Sequence, residues 1–319
     1  MVLVIVCPGQ GSQKPGFLAP WLELPGFRDR LQWLSAAANV DLVTHGTTSD
    51  EATIKDTAVA QPLIVGAGLA TLGALLDEST SLSKVGALAG HSVGEITAAA
   101  AAGALSPEQA MIFVRERGDG MAAASAVTPT GMSAVLGGDP DEVQATLQRH
   151  GLTPANMNGG GQVVAAGTME QLAALAEDAP AKARVIPLAV AGAFHTHHME
   201  SAVERLDGYA RVITTSQAQV PLVSNRDGEV VTDGADVLAR LVSQVRNPVR
   251  WDLCMERFVD LGVTGLIELA PAGTLVGLAK RGLRGVETLA LRGPEDLDTA
   301  RAMVDAHSSS DAGATPADG

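Results

Sequence analysis

Residues 85–100 read VGALAGHSVGEITAAA and carry the clearest structural signal in the chain. Residues 85–89 are small and apolar, which is typical of a strand buried on both faces, and an alanine-rich helix is expected from Glu95. Between them, Gly90-His91-Ser92-Val93-Gly94 fits the G-x-S-x-G pattern, in which a sharp strand-to-helix turn exposes a serine hydroxyl above the sheet edge. The sequence therefore predicts Ser92 as a nucleophile, with the backbone N–H of Val93 placed to stabilise an oxyanion. The alternative is a chance match in a chain that contains 35 glycines.

Strands and helices alternate on both sides of this stretch, which indicates an α/β fold. Apolar runs predict further strands at 2–7, 221–225 and 265–269, and helical patterns are expected at 61–76, at 107–123 and from residues 196, 234 and 248.

The pattern changes between residues 128 and 192, where the expected order is β-α-β-β-α-β, the ferredoxin-like arrangement. We therefore expect a hydrolase-like α/β core with a mainly parallel sheet, formed by residues 1–127 and 193–306. A small ferredoxin-like domain is expected as an insert at 128–192. Residues 307–319 show no periodicity and are expected to form a disordered tail.

Composition excludes several classes of protein. The chain has 319 residues, 46% of them hydrophobic, and a formal net charge of −14. Such an acidic chain is a poor general binder of nucleic acids or anionic membranes. Two cysteines make no disulfide framework, no signal peptide is expected at the N-terminus, and no apolar stretch is expected to approach the roughly 20 residues of a membrane span. These features predict a cytoplasmic protein.

A serine nucleophile needs a base, and His195 is the candidate. It lies in Ala193-Phe194-His195-Thr196-His197-His198, directly after the expected insert, where a cleft between two domains would form. The three histidines of this run also raise the alternative of a metal site. No Asp or Glu lies among them to complete it, so no metal is expected.

Arg117 is expected to point inward, because it lies beside the apolar stripe of the helix predicted from Pro107. A buried arginine stays charged and needs an anionic partner. Two interpretations remain open: a structural ion pair with a buried carboxylate, or a bidentate clamp for a carboxylate of the substrate.

The turn Gly9-Gln10-Gly11-Ser12-Gln13 follows the first strand but fits neither a dinucleotide fingerprint nor a phosphate-binding P-loop. A second oxyanion donor near Ser92 is the functional interpretation of this turn, and a plain strand-ending turn is the alternative.

Taken together, these segments resemble closely the malonyl-CoA:acyl carrier protein transacylases of fatty acid and polyketide synthesis. The resemblance covers residues 2 to about 292 and is carried in order by Pro8-Gly9-Gln10-Gly11-Ser12-Gln13, Gly90-His91-Ser92-Val93-Gly94-Glu95, Arg115-Glu116-Arg117-Gly118 with Met121, Gly161-Gln162-Val163-Val164, Phe194-His195, Ser243-Gln244 with Asn247-Pro248-Val249, and Glu268-Leu269-Ala270-Pro271.

The resemblance implies a role for each matching position. Ser92 would be the nucleophile and His195 its base, and the carbonyl of Gln244 would orient that histidine in place of the acid of a hydrolase. Arg117 would bind the malonyl carboxylate.

The remaining matched positions concern the oxyanion and the acyl group. Gln10 and Val93 would supply the two backbone donors of the oxyanion hole. Met121 would contact the substrate, and Phe194 is associated in this family with malonyl over methylmalonyl groups.

The implied activity is ping-pong transfer of malonyl from coenzyme A to the phosphopantetheine thiol of acyl carrier protein, through a malonyl-serine ester. Malonyl-CoA would be the donor substrate, no cofactor would be permanently bound, and we expect a monomer. The main alternative is a serine esterase or thioesterase with the same elbow. A non-catalytic scaffold that binds a carrier protein is a third possibility. Carrier proteins are acidic, so docking needs a local basic patch, for which Lys280, Arg281 and Arg284 or Lys182 and Arg184 are candidates.

Overall fold

The computed structural model describes residues 1–77 and 80–308. The strands are β1 (Val2–Cys7), β2 (Ala87–Gly90), β3 (Thr130–Gly137), β4 (Thr153–Gly159), β5 (Gln162–Thr168), β6 (Ala183–Pro187), β7 (Leu222–Val223), β8 (Val230–Val231), β9 (Val249–Arg250), β10 (Val263–Glu268) and β11 (Glu287–Ala290). The helices are α1 (Phe27–Ala38), α2 (Leu42–Thr47), α3 (Glu51–Lys55), α4 (Thr57–Leu75), α5 (Gly94–Ala101), α6 (Pro107–Ser125), α7 (Pro140–Arg149), α8 (Met169–Glu177), α9 (Glu200–Ala210), α10 (Gly234–Gln244), α11 (Trp251–Asp260), α12 (Thr274–Gly282) and α13 (Leu297–His307).

The larger sheet has the strand order β11-β10-β1-β2-β7-β8 and is parallel except for β8, which runs antiparallel to β7. Its central strand β1 is buried on both faces, since Leu3 and Ile5 belong to one hydrophobic cluster whereas Val4 and Val6 belong to another. Helices therefore cover both sides of the sheet, as continuous apolar strands require. The prediction of an α/β fold with a mainly parallel sheet is confirmed.

The second sheet has the order β6-β3-β5-β4-β9. The strands β3 to β6 pair antiparallel and alternate with α7 and α8 in the order β-α-β-β-α-β. The fifth strand, β9, comes from outside residues 128–192 and pairs parallel to β4. This strand joins the two parts of the chain, and the division into a core and an inserted domain stays a prediction.

Helix α4 corrects one expectation from the sequence. Its 19 residues carry no charge and are long and apolar enough to cross a membrane, although no such stretch was expected. Of the most apolar 18-residue window of this helix, 78% is instead buried within the protein. Small residues allow this close packing: a Cβ placed on Gly68 would lie 2.7 Å from the side chain of Thr97 in α5. It is a core helix of this fold.

Two further expectations are wrong in detail. The helix expected from Pro248 begins at Trp251, because residues 249–250 pair with β4 instead. The expected tail begins too early, because His307 ends α13, is buried, and lies 2.8 Å from both Thr264 Oγ1 and Glu287 Oε2. Residues 309–319 of that tail lie outside the described part of the chain.

Candidate active site

The turn between β2 and α5 is built on two glycines that tolerate no side chain. A Cβ on Gly90 would lie 2.0 Å from the backbone of Gly94, and one on Gly94 would lie 2.2 Å from the carbonyl oxygen of Cys7. The residue at the apex, Ser92, has a φ of 52°, in the left-handed region that serine rarely occupies. The G-x-S-x-G spacing is therefore a steric requirement, and the strain holds the hydroxyl at the carboxyl edge of the sheet.

Ser92 forms a hydrogen-bonded chain with His195 and Gln244. The distance from Ser92 Oγ to His195 Nε2 is 2.8 Å, and that from His195 Nδ1 to the backbone oxygen of Gln244 is also 2.8 Å. A carbonyl oxygen only accepts, so Nδ1 carries the ring proton and Nε2 accepts from the serine hydroxyl. The imidazole is thus in the tautomer that a general base requires.

His195 is held rigidly in its place. Its φ is 60°, its backbone N–H donates to the carbonyl of Val245 at 3.2 Å, and its side chain is buried. Burial, followed by the nearby charge of Arg117, lowers the pKa of His195 to about 3. The imidazole is therefore neutral at physiological pH and able to accept a proton.

Arg117, on α6, turns into the site as predicted and is 1% exposed. Its Nη1 donates to Gln61 Oε1 at 2.7 Å, and its Nη2 donates to Gln244 Oε1 at 2.9 Å and contacts Ser92 Oγ at 3.3 Å. Its Nε–H has no acceptor among the described residues. All three partners are neutral, so the alternative of a direct ion pair with a buried carboxylate is wrong.

A buried polar network lies directly beneath the turn. The side chain of Asn225, which follows β7, accepts from the backbone N–H of Ser92 at 2.8 Å and donates to the carbonyl of Gly90 at 2.7 Å. The carboxylate of Glu95 accepts from the backbone N–H of Asn225 at 2.8 Å and from the side-chain amide of Gln244. Burial raises the pKa of Glu95 to about 7. Strand ends and helix α10 thereby fix the turn from below.

A cavity of about 80 Å³ opens above Ser92. Seven of the eight predicted site residues line this cavity: Gln10, Ser92, Val93, Arg117, Met121, Phe194 and His195. The eighth, Gln244, contacts the site from beneath. Neither the backbone N–H of Gln10 nor that of Val93 donates to another group within residues 1–77 and 80–308. Both amides are therefore available to a ligand in the cavity.

Several residues of this site were not predicted from the sequence. Gln61 and Asn156 line the cavity, and Glu95 and Asn225 support it from below. Gln61 carried a recognisable signal, because it is a buried polar residue in the otherwise apolar helix α4. Asn225 carried none, because only the pairing of β7 with β2 brings it to Ser92.

The described residues hold no group of three or more His, Cys, Asp and Glu side chains that could bind a metal ion. Both ring nitrogens of His195 are engaged, and the tilted rings of His197 and His198 lie with centroids 4.1 Å apart in the turn before α9.

Comparison with known proteins gives the family. Residues 4–309 match the acyl transferase domain. The malonyl CoA-acyl carrier protein transacylase of Mycobacterium tuberculosis is 50% identical over 297 residues, which are 93% of this chain and 98% of that protein. The crystal structure of MCAT from the same organism matches with a TM-score of 0.91 at 49% identity, over 94% of this chain and all of that one.

A second solved structure matches with a TM-score of 0.88 at 29% identity, over 95% of this chain and 99% of that one. It shows a type II polyketide synthase acyl-carrier protein in complex with its malonyl-transacylase. The fold, the serine–histidine geometry and these similarities agree. The chain belongs to the acyl transferase domain family and, within it, to the malonyl CoA-acyl carrier protein transacylases.

Proposed function

We propose that this protein transfers a malonyl group from coenzyme A to the phosphopantetheine thiol of an acyl carrier protein, through a malonyl ester of Ser92. The observation that carries the proposal is the guanidinium of Arg117, which is buried 3.3 Å from the hydroxyl of Ser92 and whose hydrogen-bond partners in the described part of the chain are all neutral. A buried cation beside the reacting atom selects an acyl group that brings its own carboxylate.

The first half of the reaction acylates the enzyme. His195 Nε2 takes the proton of Ser92 as the serine oxygen attacks the thioester carbon of malonyl-CoA. The backbone N–H groups of Gln10 and Val93 stabilise the oxyanion, each by about 3 kcal/mol. The imidazolium returns its proton to the sulfur of coenzyme A, which leaves, and the malonyl-serine ester remains.

The second half uses the same groups in reverse. His195 takes the proton of the pantetheine thiol, whose sulfur attacks the ester, and returns that proton to Ser92. Because a thioester is exchanged for a thioester, the overall transfer is close to thermoneutral. The carbonyl of Gln244 is uncharged and stabilises the imidazolium less than the carboxylate of a hydrolase would. That suits a thiol acceptor, which gives up its proton far more readily than water does.

Substrate contacts follow from the cavity walls. We propose that Arg117 binds the malonyl carboxylate, with its free Nε–H available as a further donor. Met121 and Phe194, both buried, line the same cavity and would limit the acyl group to a short, unbranched one. Malonyl-CoA is the donor substrate, and the reaction needs no permanently bound cofactor.

The two-domain division belongs to the same proposal. The cavity is lined from the expected insert at 128–192 by Met132, Asn156, Leu188 and Val190, and its other walls come from the expected core. This distribution supports a cleft between two domains. We further propose a cytoplasmic monomer that serves fatty acid synthesis and, with a suitable carrier protein, polyketide synthesis.

The test is an intact mass measurement after brief incubation with malonyl-CoA, and separately with acetyl-CoA. One malonyl adduct, absent in Ser92→Ala and weak with acetyl-CoA, is the expected result. Release of free coenzyme A without an adduct points to a thioesterase instead. An unmodified protein that releases no coenzyme A contradicts the proposal and leaves only a binding role.

A further inference from the structure

Glu95 is a buried carboxylate that the mechanism above does not use. It follows the nucleophile turn at the start of α5, and it is 7% exposed. One carboxylate oxygen accepts from the backbone N–H of Asn225, and the other accepts from the side-chain amide of Gln244. Glu95 makes no contact with the cavity above Ser92, whose lining residues do not include it. Apart from the charge that it places near Arg117, any effect of Glu95 on the reaction must therefore pass through a neighbour.

That neighbour is the side-chain amide of Gln244, whose oxygen and nitrogen face different partners. Its Nε2 donates to Glu95 and lies 3.1 Å from the carbonyl oxygen of Ser92 and 3.2 Å from Asn225 Oδ1. Its Oε1 accepts from Arg117 Nη2 at 2.9 Å. If the amide turned over, its NH₂ would face the guanidinium, donor against donor, and its oxygen would face three acceptors.

Among the acceptors around Nε2, Glu95 is the charged one, and hydrogen bonds to a charged acceptor are about twice as strong as neutral ones. Glu95 therefore contributes most to fixing the orientation of the Gln244 amide. We propose that Glu95 is a positioning residue for malonyl selection: by fixing the Gln244 amide, it presents Oε1 to Arg117 and holds the guanidinium where it receives the acyl carboxylate. This inference rests on the function proposed above.

The surroundings of Glu95 are consistent with a charged carboxylate. It lines a second cavity, of about 320 Å³, together with Arg226, Arg240 and Arg250. The charge of Arg240 favours its ionised form, against the burial that raises its pKa to about 7. An assay at pH 8 therefore keeps most of Glu95 ionised.

The experiment compares Glu95→Gln with a matched control at pH 8. Glu116→Gln removes another buried carboxylate, on α6 beside Arg117, which pairs outward with Arg205 and does not contact the site. Two rates are measured: malonylation of Ser92 by malonyl-CoA, and modification of Ser92 by phenylmethylsulfonyl fluoride, a neutral reagent that needs Ser92 and His195 but no carboxylate clamp.

For Glu95→Gln, kcat/KM for malonyl-CoA is expected to fall about tenfold to hundredfold, the loss of one charge-assisted hydrogen bond. The rate with the neutral reagent is expected to change less than threefold, and Glu116→Gln is expected to leave the ratio of the two rates unchanged. An equal fall in both rates would overturn the proposal, since Glu95 would then act on the nucleophile. An unchanged ratio in a folded Glu95→Gln protein would overturn it as well.

A second variant tests the proposal independently if Glu95→Gln does not fold. Gln244→Met removes the amide that transmits the effect, and it should lower the same ratio at least tenfold; a wild-type ratio in this variant contradicts the inference. A wild-type protein that forms no malonyl-serine ester at all would instead refute the function on which the inference rests.

Discussion

Replacing Arg117 by methionine removes the guanidinium and keeps an unbranched side chain of similar length. In the wild-type protein the guanidinium is buried and has no carboxylate partner within hydrogen-bond distance among the described residues, and we propose that the malonyl carboxylate serves as its counter-ion. Removing one partner of a buried, hydrogen-bonded charge pair costs about 2–5 kcal/mol. At 1.36 kcal/mol for each factor of ten, kcat/KM for malonyl-CoA should fall about 30-fold to 5000-fold.

The same change should not penalise acetyl-CoA, which has no carboxylate to lose. Acetyl transfer should stay level or rise, because an acetyl group bound to the wild-type protein leaves the guanidinium unpaired. Loosening of Gln61 and Gln244, which Arg117 holds, affects both substrates and cancels in the ratio of their kcat/KM values. That ratio is therefore the quantity to measure.

The assay follows transfer of radiolabelled malonyl and acetyl groups to a holo acyl carrier protein under subsaturating donor. The matched control is Arg115→Met on the same helix, where the arginine is partly exposed and pairs with Asp119 at 3.7 Å. This control should behave as wild type. A malonyl-to-acetyl ratio that Arg117→Met leaves unchanged would show that the carboxylate binds elsewhere, and the reasoning from the buried cation would fail.

Three further predictions concern the turn, the base and the docking of the carrier protein. Gly94→Ala should destabilise the fold by about 1–3 kcal/mol or more in urea unfolding, since its Cβ would lie 2.2 Å from the oxygen of Cys7, whereas Gly277→Ala, with no atom within 4 Å of the new Cβ, should stabilise it slightly. The rate of Ser92 modification by a neutral sulfonyl fluoride should not fall as the pH is lowered through 6.5, because burial lowers the pKa of His195 to about 3 and keeps the base neutral. A rate that falls with a midpoint at pH 6.5 would contradict this explanation. Reversing the charge of exposed Lys280 and Arg284 should raise KM for the acidic carrier protein several-fold and leave malonylation by malonyl-CoA unchanged, and equal effects on both steps would argue against this docking face.

Two features of the site geometry argue against the esterase alternative. The imidazole of His195 is oriented by a peptide carbonyl and not by a carboxylate. A cation also lies 3.3 Å from the nucleophile, where an ordinary ester offers nothing to neutralise it. Both features fit transfer of an acidic acyl group between thiols, in agreement with the family to which the chain belongs.

Much of the fold could be predicted because its signals are local. Continuous apolar runs mark β1 and β2, and the capping box of Ser106 with Gln109 marks the start of α6. Short strands were harder to predict. β9 has two residues and depends on pairing with β4, so its sequence resembled the beginning of a helix.

The site likewise has features that local sequence predicts and contacts that it does not. Ser92 was predictable, because the steric demands of its turn are written into the glycines two residues on either side. The inward direction of Arg117 was predictable from helical periodicity, but its partners were not, since Gln61 is 56 positions away and Gln244 is 127.

Sequence patterns were enough to predict the α/β class, the turn at Ser92 and the buried arginine, and they carried the resemblance that pointed to the family. All of these depend on residues close together in the chain or on motifs in a fixed order. The three-dimensional contacts were needed to see that Arg117 forms no direct ion pair within residues 1–77 and 80–308, that a backbone carbonyl orients His195, and that Glu95 holds Gln244. Those contacts form where β2, β7, α6 and α10 converge at one sheet edge, and long-range packing, which local patterns do not encode, sets the distances between them.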